Sequence, residues 1–309
     1  MNSAAIRRDL RNRFQSTGWS LVLYYGIMNL VMLGPAVAMS LEQNDVSAAV
    51  LNEAIGFCYL LATIVGLLIL IARSHKGFFK NLVLAERNPM KPISFIKILC
   101  VFLSVQFVAY FWNLFVEMIF NSMGYSMFRY RELMQMDSDS LTMYLYTSIS
   151  APITEELLFR GLIMRSMRPY GRKFAILTSA FLFGIFHGDC TQIPFAFTVG
   201  LILGYVAMEY HITWAMLLHM INNLLLADGL TRITSHMSAE ESTLVFLAVV
   251  FLFAVVALII MIVDRKKISA YLKPEPINTL CLQAFFSGTS VITMTLLALL
   301  NAWVMITPV

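Results

Sequence analysis

Nine apolar stretches, joined by short polar or charged connections, run the length of this chain and leave it few folds to adopt. They lie near 18–40, 55–72, 93–120, 141–164, 174–188, 193–208, 213–227, 243–263 and 279–306. A helix that crosses a bilayer needs about 20 mostly apolar residues, and within lipid every backbone N–H and C=O must be paired internally. The fifth to seventh stretches are short by that measure. The chain is 59% hydrophobic and 13% charged, where a soluble domain is about half apolar and about a quarter charged. The expected fold is all-α: a polytopic helical membrane protein of eight or nine transmembrane helices around a polar intramembrane cavity.

Loop charge gives the expected orientation. Arg7, Arg8, Arg11 and Arg13 precede the first stretch. Arg73, Lys76, Lys80, Arg87 and Lys91 follow the second. Arg165, Arg168, Arg172 and Lys173 follow the fourth, and Arg265, Lys266, Lys267 and Lys273 follow the eighth. The alternate loops carry Glu42, Asp45, Asp137, Asp139, Asp228, Glu240 and Glu241, with Arg129, Arg131 and Arg232 as exceptions. This places the N-terminus in the cytoplasm. The net charge of +4 is a topology signal, since the basic residues are spread over separate loops. No nucleic-acid partner is indicated. Ala36-Val37-Ala38 resembles a signal-peptidase site, but the preceding apolar run is long for a signal peptide and reads as an uncleaved span. Segment 74–92 reads as an inner connector, and Pro274-Glu275-Pro276 as a break before the last span. The expected organisation is 1–140 for the first helices, 141–227 for a functional core and 228–309 for the last helices.

The core carries charges that lipid does not tolerate idly. Glu155 and Glu156 sit in an apolar helix with Arg160 one turn on. A carboxylate at bilayer depth costs about 2.5–3.5 kcal/mol even on insertion scales, so such residues are functional candidates. Arg160 is the i,i+4 partner of Glu156, whereas Glu155 points about 100° away and has no partner on its own helix. The fifth stretch adds Phe183 and His187, the seventh His219 and Asn223, each pair on one helix face. At about 1.5 Å rise per residue, Glu155, His187, His219 and Asn223 fall at ~9–21 Å depth and can share one cavity.

A carboxylate and a neutral imidazole can activate water, and a second imidazole and an amide can stabilise an oxyanion. Neither G-x-S-x-G nor H-E-x-x-H occurs. Glu155, His187 and His219 could instead bind zinc, and these residues alone do not separate a metal-activated water from a glutamate-activated one. Intramembrane Glu and His also serve proton relays, although no inverted repeat supports a transporter.

Glu155-Glu156-x-x-x-Arg160, Phe183-x-x-x-His187 and His219-x-x-x-Asn223 together resemble the three motifs of the CAAX protease and bacteriocin-processing family, also called Abi. The resemblance covers about a quarter of the chain, 148–226. It implies an intramembrane endopeptidase, of metallo- or glutamate type, acting on a hydrophobic or lipidated peptide: a prenylated CAAX-type or leader-peptide substrate. Glu155 and His187 would activate the water, His219 and Asn223 would hold the oxyanion, and Glu156, Arg160 and Phe183 would support the site. It also implies an alternative, a silent membrane protein of bacteriocin self-immunity or a scaffold. The expected setting is a bacterial cytoplasmic membrane, with the bilayer and the peptide as partners.

Other polar residues read as structural. Gly200 and Gly204 suit close helix packing. Asp189 reads as a solvated loop acid, Glu53 and Glu117 as acids reaching the interface, and His75, His211 and His236 as solvated. Asn222 reads as facing away from the site. Cys58, Cys100, Cys190 and Cys281 show no C-x-x-C spacing and read as small hydrophobes.

Overall fold

In the computed structural model, residues 3–41, 48–73, 88–127, 140–273 and 278–309 are described. The expectations for 74–87, His75 among them, and for 274–277 lie outside these residues. Helices stand where the nine apolar stretches stand. They are α1 (Ser3–Leu41), α2 (Ala48–Arg73), α3 (Pro92–Ser122), α4 (141–167), α5 (Arg172–Phe186), α6 (Ile193–Glu209), α7 (Ile212–Asn222), α8 (Ala239–Val263), α9 (Arg265–Leu272), α10 (Thr279–Phe286) and α11 (Thr289–Val304). α1 runs through Ala36-Val37-Ala38 without a break.

Among the described residues three helical segments are long and apolar enough to cross a bilayer: Asn52–Ala72, Pro92–Ser122 and Ala239–Val263. The last stretch, expected as one span, bends by 59° between α10 and α11. The bend falls at Ser287-Gly288, and Asn278 caps the start of α10 through the Leu280 N–H. Taken together, α10 and α11 pass the same test of length and apolarity as a bent pair. α5 has 15 residues and at about 1.5 Å per residue falls short of a ~30 Å hydrocarbon core, whereas α7 runs on unbroken through Asn223–Gly229 and Leu230–Thr234.

The centre is α5 against α6, wrapped by α1, α4, α7 and α11. Two glycines allow the closest contact. A Cβ on Gly200 would lie 3.1 Å from Ala180 Cα and 3.2 Å from the Phe183 ring, and one on Gly204 3.1 Å from Ile176. The small-residue reading of both therefore holds. Phe159, Phe174, Phe183 and Phe285 fill this centre almost without exposure. α3 and α8 pack on each other at the edge, and Val108, Phe251, Leu258 and Val263 stay open to the surroundings as lipid-facing residues would.

Side-chain bonds sort the connections into two ends. At one end Tyr170 donates to Asp9, Asn88 to the Glu209 carbonyl, Arg172 and Tyr271 to the Glu209 carboxylate, and Lys97 to Asp264. At the other end Glu53 accepts from Leu141 and Thr142, Trp112 donates to the Cys190 carbonyl, and Tyr125–Ser126 pairs antiparallel with Thr307–Pro308. The basic connections 165–173 and 265–273 and the N-terminal helix start thus share one end, in step with the alternation of loop charge.

Three structural readings are corrected. Asp189 is 1% exposed, because its carboxylate turns inward to accept from the Thr191 N–H and hydroxyl. Glu117 is buried rather than interfacial, accepting from Ser126 and the Met127 N–H. His211 is buried because it caps α7, its Nδ1 accepting from the Thr213 N–H. His236 is exposed as expected.

Candidate active site

The candidate residues come from α4, α5 and α7, and two of these helices leave the α geometry at the site. α4 is α-helical over Leu141–Leu145, π-helical over Tyr146–Ser150, α-helical over Ala151–Glu156, π-helical over Leu157–Met164 and α-helical again over Arg165–Met167. Pro152 accounts for the first change. Proline has no N–H to give the carbonyl four residues back, and its ring crowds that carbonyl. The Ala151 N–H accordingly bonds five residues back, to Tyr146. α7 passes into a π segment, Asn223–Gly229, whose end is closed by the Leu230 N–H on the Leu225 carbonyl. Gly229 permits that wide turn, since a Cβ there would lie 2.5 Å from the Leu224 carbonyl oxygen. Single π turns in α-helices often mark functional sites.

Glu156 and Arg160 form the buried foundation. Nη1 of Arg160 lies 2.8 Å from Oε1 of Glu156, and both side chains are 0% exposed. Arg160 also donates from Nη2 to the Gly200 carbonyl at 3.1 Å and stands 4.4 Å from the centre of the Phe183 ring. The guanidinium thus ties α4 to α5 and α6 at once. A buried pair is worth little against an apolar replacement, but removing one partner costs about 3–5 kcal/mol.

His219 reaches this pair from α7. Its Nδ1 lies 3.1 Å from Oε1 of Glu156, and its Nε2 lies 3.9 Å from Oε2 of Glu155. The tautomer that carries its proton on Nδ1 donates to Glu156 and leaves Nε2 as the atom facing Glu155. The two glutamates are therefore unequal. The Glu156 side chain is 0% exposed and holds two partners, whereas that of Glu155 is 14% exposed and, among the described residues, makes no hydrogen bond. Tyr24 and Tyr146 lie within electrostatic reach of Glu155.

His187 ends α5 in front of Gly188, whose φ of +62° suits glycine. Its Nδ1 lies 2.8 Å from the Phe183 carbonyl, which leaves Nε2 free of that bond. The Phe183 ring touches both imidazoles, with centroids 4.9 Å from His187 and 5.8 Å from His219. Asn223 donates from Nδ2 to the Thr147 carbonyl at 2.8 Å and accepts at Oδ1 from Asn222 at 3.0 Å. Asn222 in turn accepts from Gln106 at 3.4 Å. Asn222, read from the sequence as facing away, is thus buried and attached to Asn223. Both residues have ordinary α-helical backbone, about 100° apart, and the Asn222 amide is long enough to reach its neighbour's oxygen. Gln106 had no signal in the sequence beyond being a polar residue in an apolar span.

The structure thus brings Glu155, Glu156, Arg160, Phe183 and His219 into mutual contact and joins His187 to them through Phe183. Among the described residues no hydrogen bond joins His187 or Asn223 to Glu155. No group of three or more His, Cys, Asp or Glu side chains is gathered closely enough there to hold a metal ion. The zinc triplet Glu155, His187 and His219 is not such a group.

An all-helical, membrane-type chain with two acids, two imidazoles and an amide on three packed helices defines a narrow class. Residues 137–225 match the family model for Rce1-like proteins, described as type II CAAX prenyl endopeptidases. All seven candidate residues lie inside the match. No curated protein and no solved structure matches the chain.

Proposed function

We propose that the chain is an intramembrane endopeptidase that hydrolyses a peptide bond in a membrane-associated substrate, of the prenylated CAAX type or a leader peptide. The observation that carries this reading is the inequality of the two glutamates around His219. Glu156 is enclosed and holds both Arg160 and the imidazole through one oxygen, while Glu155 faces the remaining imidazole nitrogen and, among the described residues, makes no hydrogen bond.

In the reaction, Glu155 takes a proton from water, and His187 orients that water through its unbonded Nε2. The water oxygen forms a bond to the scissile carbonyl carbon. Asn223 holds one amide N–H on Thr147 and has a second for the resulting oxyanion. His219 contributes from Nε2 when that nitrogen carries a proton. The C–N bond then breaks as Glu155 returns its proton to the leaving amine. No step runs through a metal, because the residues present do not assemble a ligand set.

In this reading eight or nine crossings, counting the shorter and bent helices, enclose a polar cavity in the bilayer. The N-terminus and the basic connections face the cytoplasm of a bacterial cell. The two-ended sorting of side-chain bonds supports that orientation.

The test is cleavage of a farnesylated CAAX peptide and of a hydrophobic leader peptide by the purified protein and its Glu155→Gln variant, each with and without chelator. Cleavage that is lost in the variant and indifferent to chelator is expected. Chelator-sensitive cleavage with stoichiometric zinc would overturn the mechanism, and full activity in the variant would overturn the assignment of Glu155.

A further inference from the structure

The helix that follows α8 carries a feature that peptide hydrolysis does not use. α9 has the sequence RKKISAYL, with Lys273 directly after it. Its roll is fixed by one residue. Tyr271 donates to the Glu209 carboxylate at 3.1 Å, lies 4.9 Å from the Tyr205 ring and has the Arg172 guanidinium 4.8 Å from its own centre. Burial and the nearby Glu209 carboxylate raise the pKa of the Tyr271 phenol, so it stays a donor and the anchor holds across neutral pH. The rest of the helix is left standing away from the bundle, with Arg265, Lys266, Lys267, Ser269, Ala270 and Lys273 all exposed.

The cations on this helix divide into two sets. Lys267 is committed to Asp264 at 3.0 Å, and Asp264 also holds Lys97 at 2.5 Å. Arg265, Lys266 and Lys273 instead line a shallow, wide-open surface depression, together with Ser269 and Ala270. No carboxylate lines that recess. Among the described residues, the neighbouring acids Asp264 and Glu209 are both occupied by other cations. Three positive side chains and a hydroxyl around one hollow suit a phosphate in charge and in hydrogen-bond donors.

Its surroundings identify the carrier of that phosphate. α9 starts two residues after Val263, the end of a crossing-length helix, and Val263 is 70% exposed. Ile268 and Leu272, one turn apart on α9, are also exposed, Leu272 at 66%. Basic and apolar side chains together on a short surface helix at the end of a span fit the boundary between headgroups and acyl chains. A free phosphate ion has no use for the apolar part.

We propose that α9 is a binding site for an anionic phospholipid, its headgroup phosphate held by Arg265, Lys266, Lys273 and the Ser269 hydroxyl, and its acyl chains lying along Ile268 and Leu272. The site is independent of the peptidase reading, since none of these residues touches the candidate active site.

The experiment is thermal unfolding of the purified full-length protein in a neutral detergent. Dihexanoyl phosphatidylglycerol, dihexanoyl phosphatidylcholine or sodium phosphate is titrated in at constant ionic strength. A ligand that binds the folded state raises Tm in proportion to its occupancy. Phosphatidylglycerol is expected to raise Tm saturably, and the other two are not. The variant R265Q/K266Q/K273Q removes only exposed side chains, so its Tm without lipid should match the parent. It is expected to need at least roughly tenfold more phosphatidylglycerol for the same rise. R8Q/R11Q, the same kind of change on α1, should respond as the parent does. No rise with phosphatidylglycerol, or an equal rise with phosphatidylcholine, would overturn the proposal. So would an equal response in the triple variant or an equal loss in the α1 variant. A rise reproduced by sodium phosphate would move the site from a lipid to the free ion and overturn the lipid assignment.

Discussion

α5 and α8 are both apolar helices, yet they meet opposite surroundings. α5 buries ten of its 15 residues, and α8 buries only Val250 and Ala257 of its 25. α8 is a regular helix with Ser238 and Glu241 making a reciprocal cap at its start. α5 ends on a histidine and packs against a helix whose winding changes at Pro152 and again after Glu156. In lipid, an apolar surface gains nothing from water exclusion, so α8 needs only length and apolarity. The centre must hold charges away from lipid, and every polar group there has to be placed against another. Irregular winding is tolerated where it is enclosed in protein.

That contrast breaks most sharply at Glu155. Glu155→Gln keeps shape and hydrogen bonding but cannot take a proton. Turnover should fall by about 10²–10⁴, the range for general-base catalysis, with Tm unchanged. Unchanged turnover would make the acid a packing residue like those of α8. Glu156→Ala should act on stability as well as activity, lowering it by about 3–5 kcal/mol as Arg160 loses its charge partner at zero exposure. A Tm equal to the parent's would mean that Arg160 is held by the Gly200 carbonyl and the Phe183 ring alone. Asn223→Ala should cost about 10²–10³ in kcat with little change in KM, as expected for a donor used only in the transition state. Asn222→Ala, which loosens Asn223 without removing it, should lower kcat by less. An equal loss would make Asn222 a donor in its own right.

The same contrast governs what could be foreseen. Periodicity and apolar length find α2, α3 and α8 because those helices obey a single rule. Alternating loop charge agrees with the bonds that join Asp9 to Tyr170 and Glu209 to Arg172. Helical spacing pairs Glu156 with Arg160, and it leaves Glu155 without a partner on its own helix. Spacing gives direction but not reach: Asn222 stands about 100° from Asn223, and its amide still bonds the neighbouring oxygen. The 59° bend between α10 and α11 lay hidden in an unbroken apolar run marked only by Ser287-Gly288. Asp189 and His211 read as solvated because loops usually are wet, and Glu117 as an acid at a span end reaching the interface. Each is instead buried with backbone N–H groups to accept, a partner set that composition does not display.

The last test sets two ion pairs side by side. Lys97–Asp264 spans α3 to the start of α9 with side chains 36% and 17% exposed, whereas Glu156–Arg160 is fully enclosed. Water and salt screen the first pair and not the second. The hydrogen bond from Lys97, aided by Lys267, holds the Asp264 carboxyl below the usual carboxylate range. A carboxylate with a depressed folded-state pKa stabilises at pH values above its unfolded pKa of about 3.9 and loses that contribution as pH falls through the lower folded value. Asp264→Asn should therefore have the smallest effect of the set near neutrality. What difference it makes to Tm should shrink with added salt and vanish as the parent is acidified through that range. Glu156→Ala should keep its loss of stability at high salt. An Asp264→Asn loss as large as that of Glu156→Ala, and as indifferent to salt, would place this end of the molecule in the same enclosed surroundings as its centre.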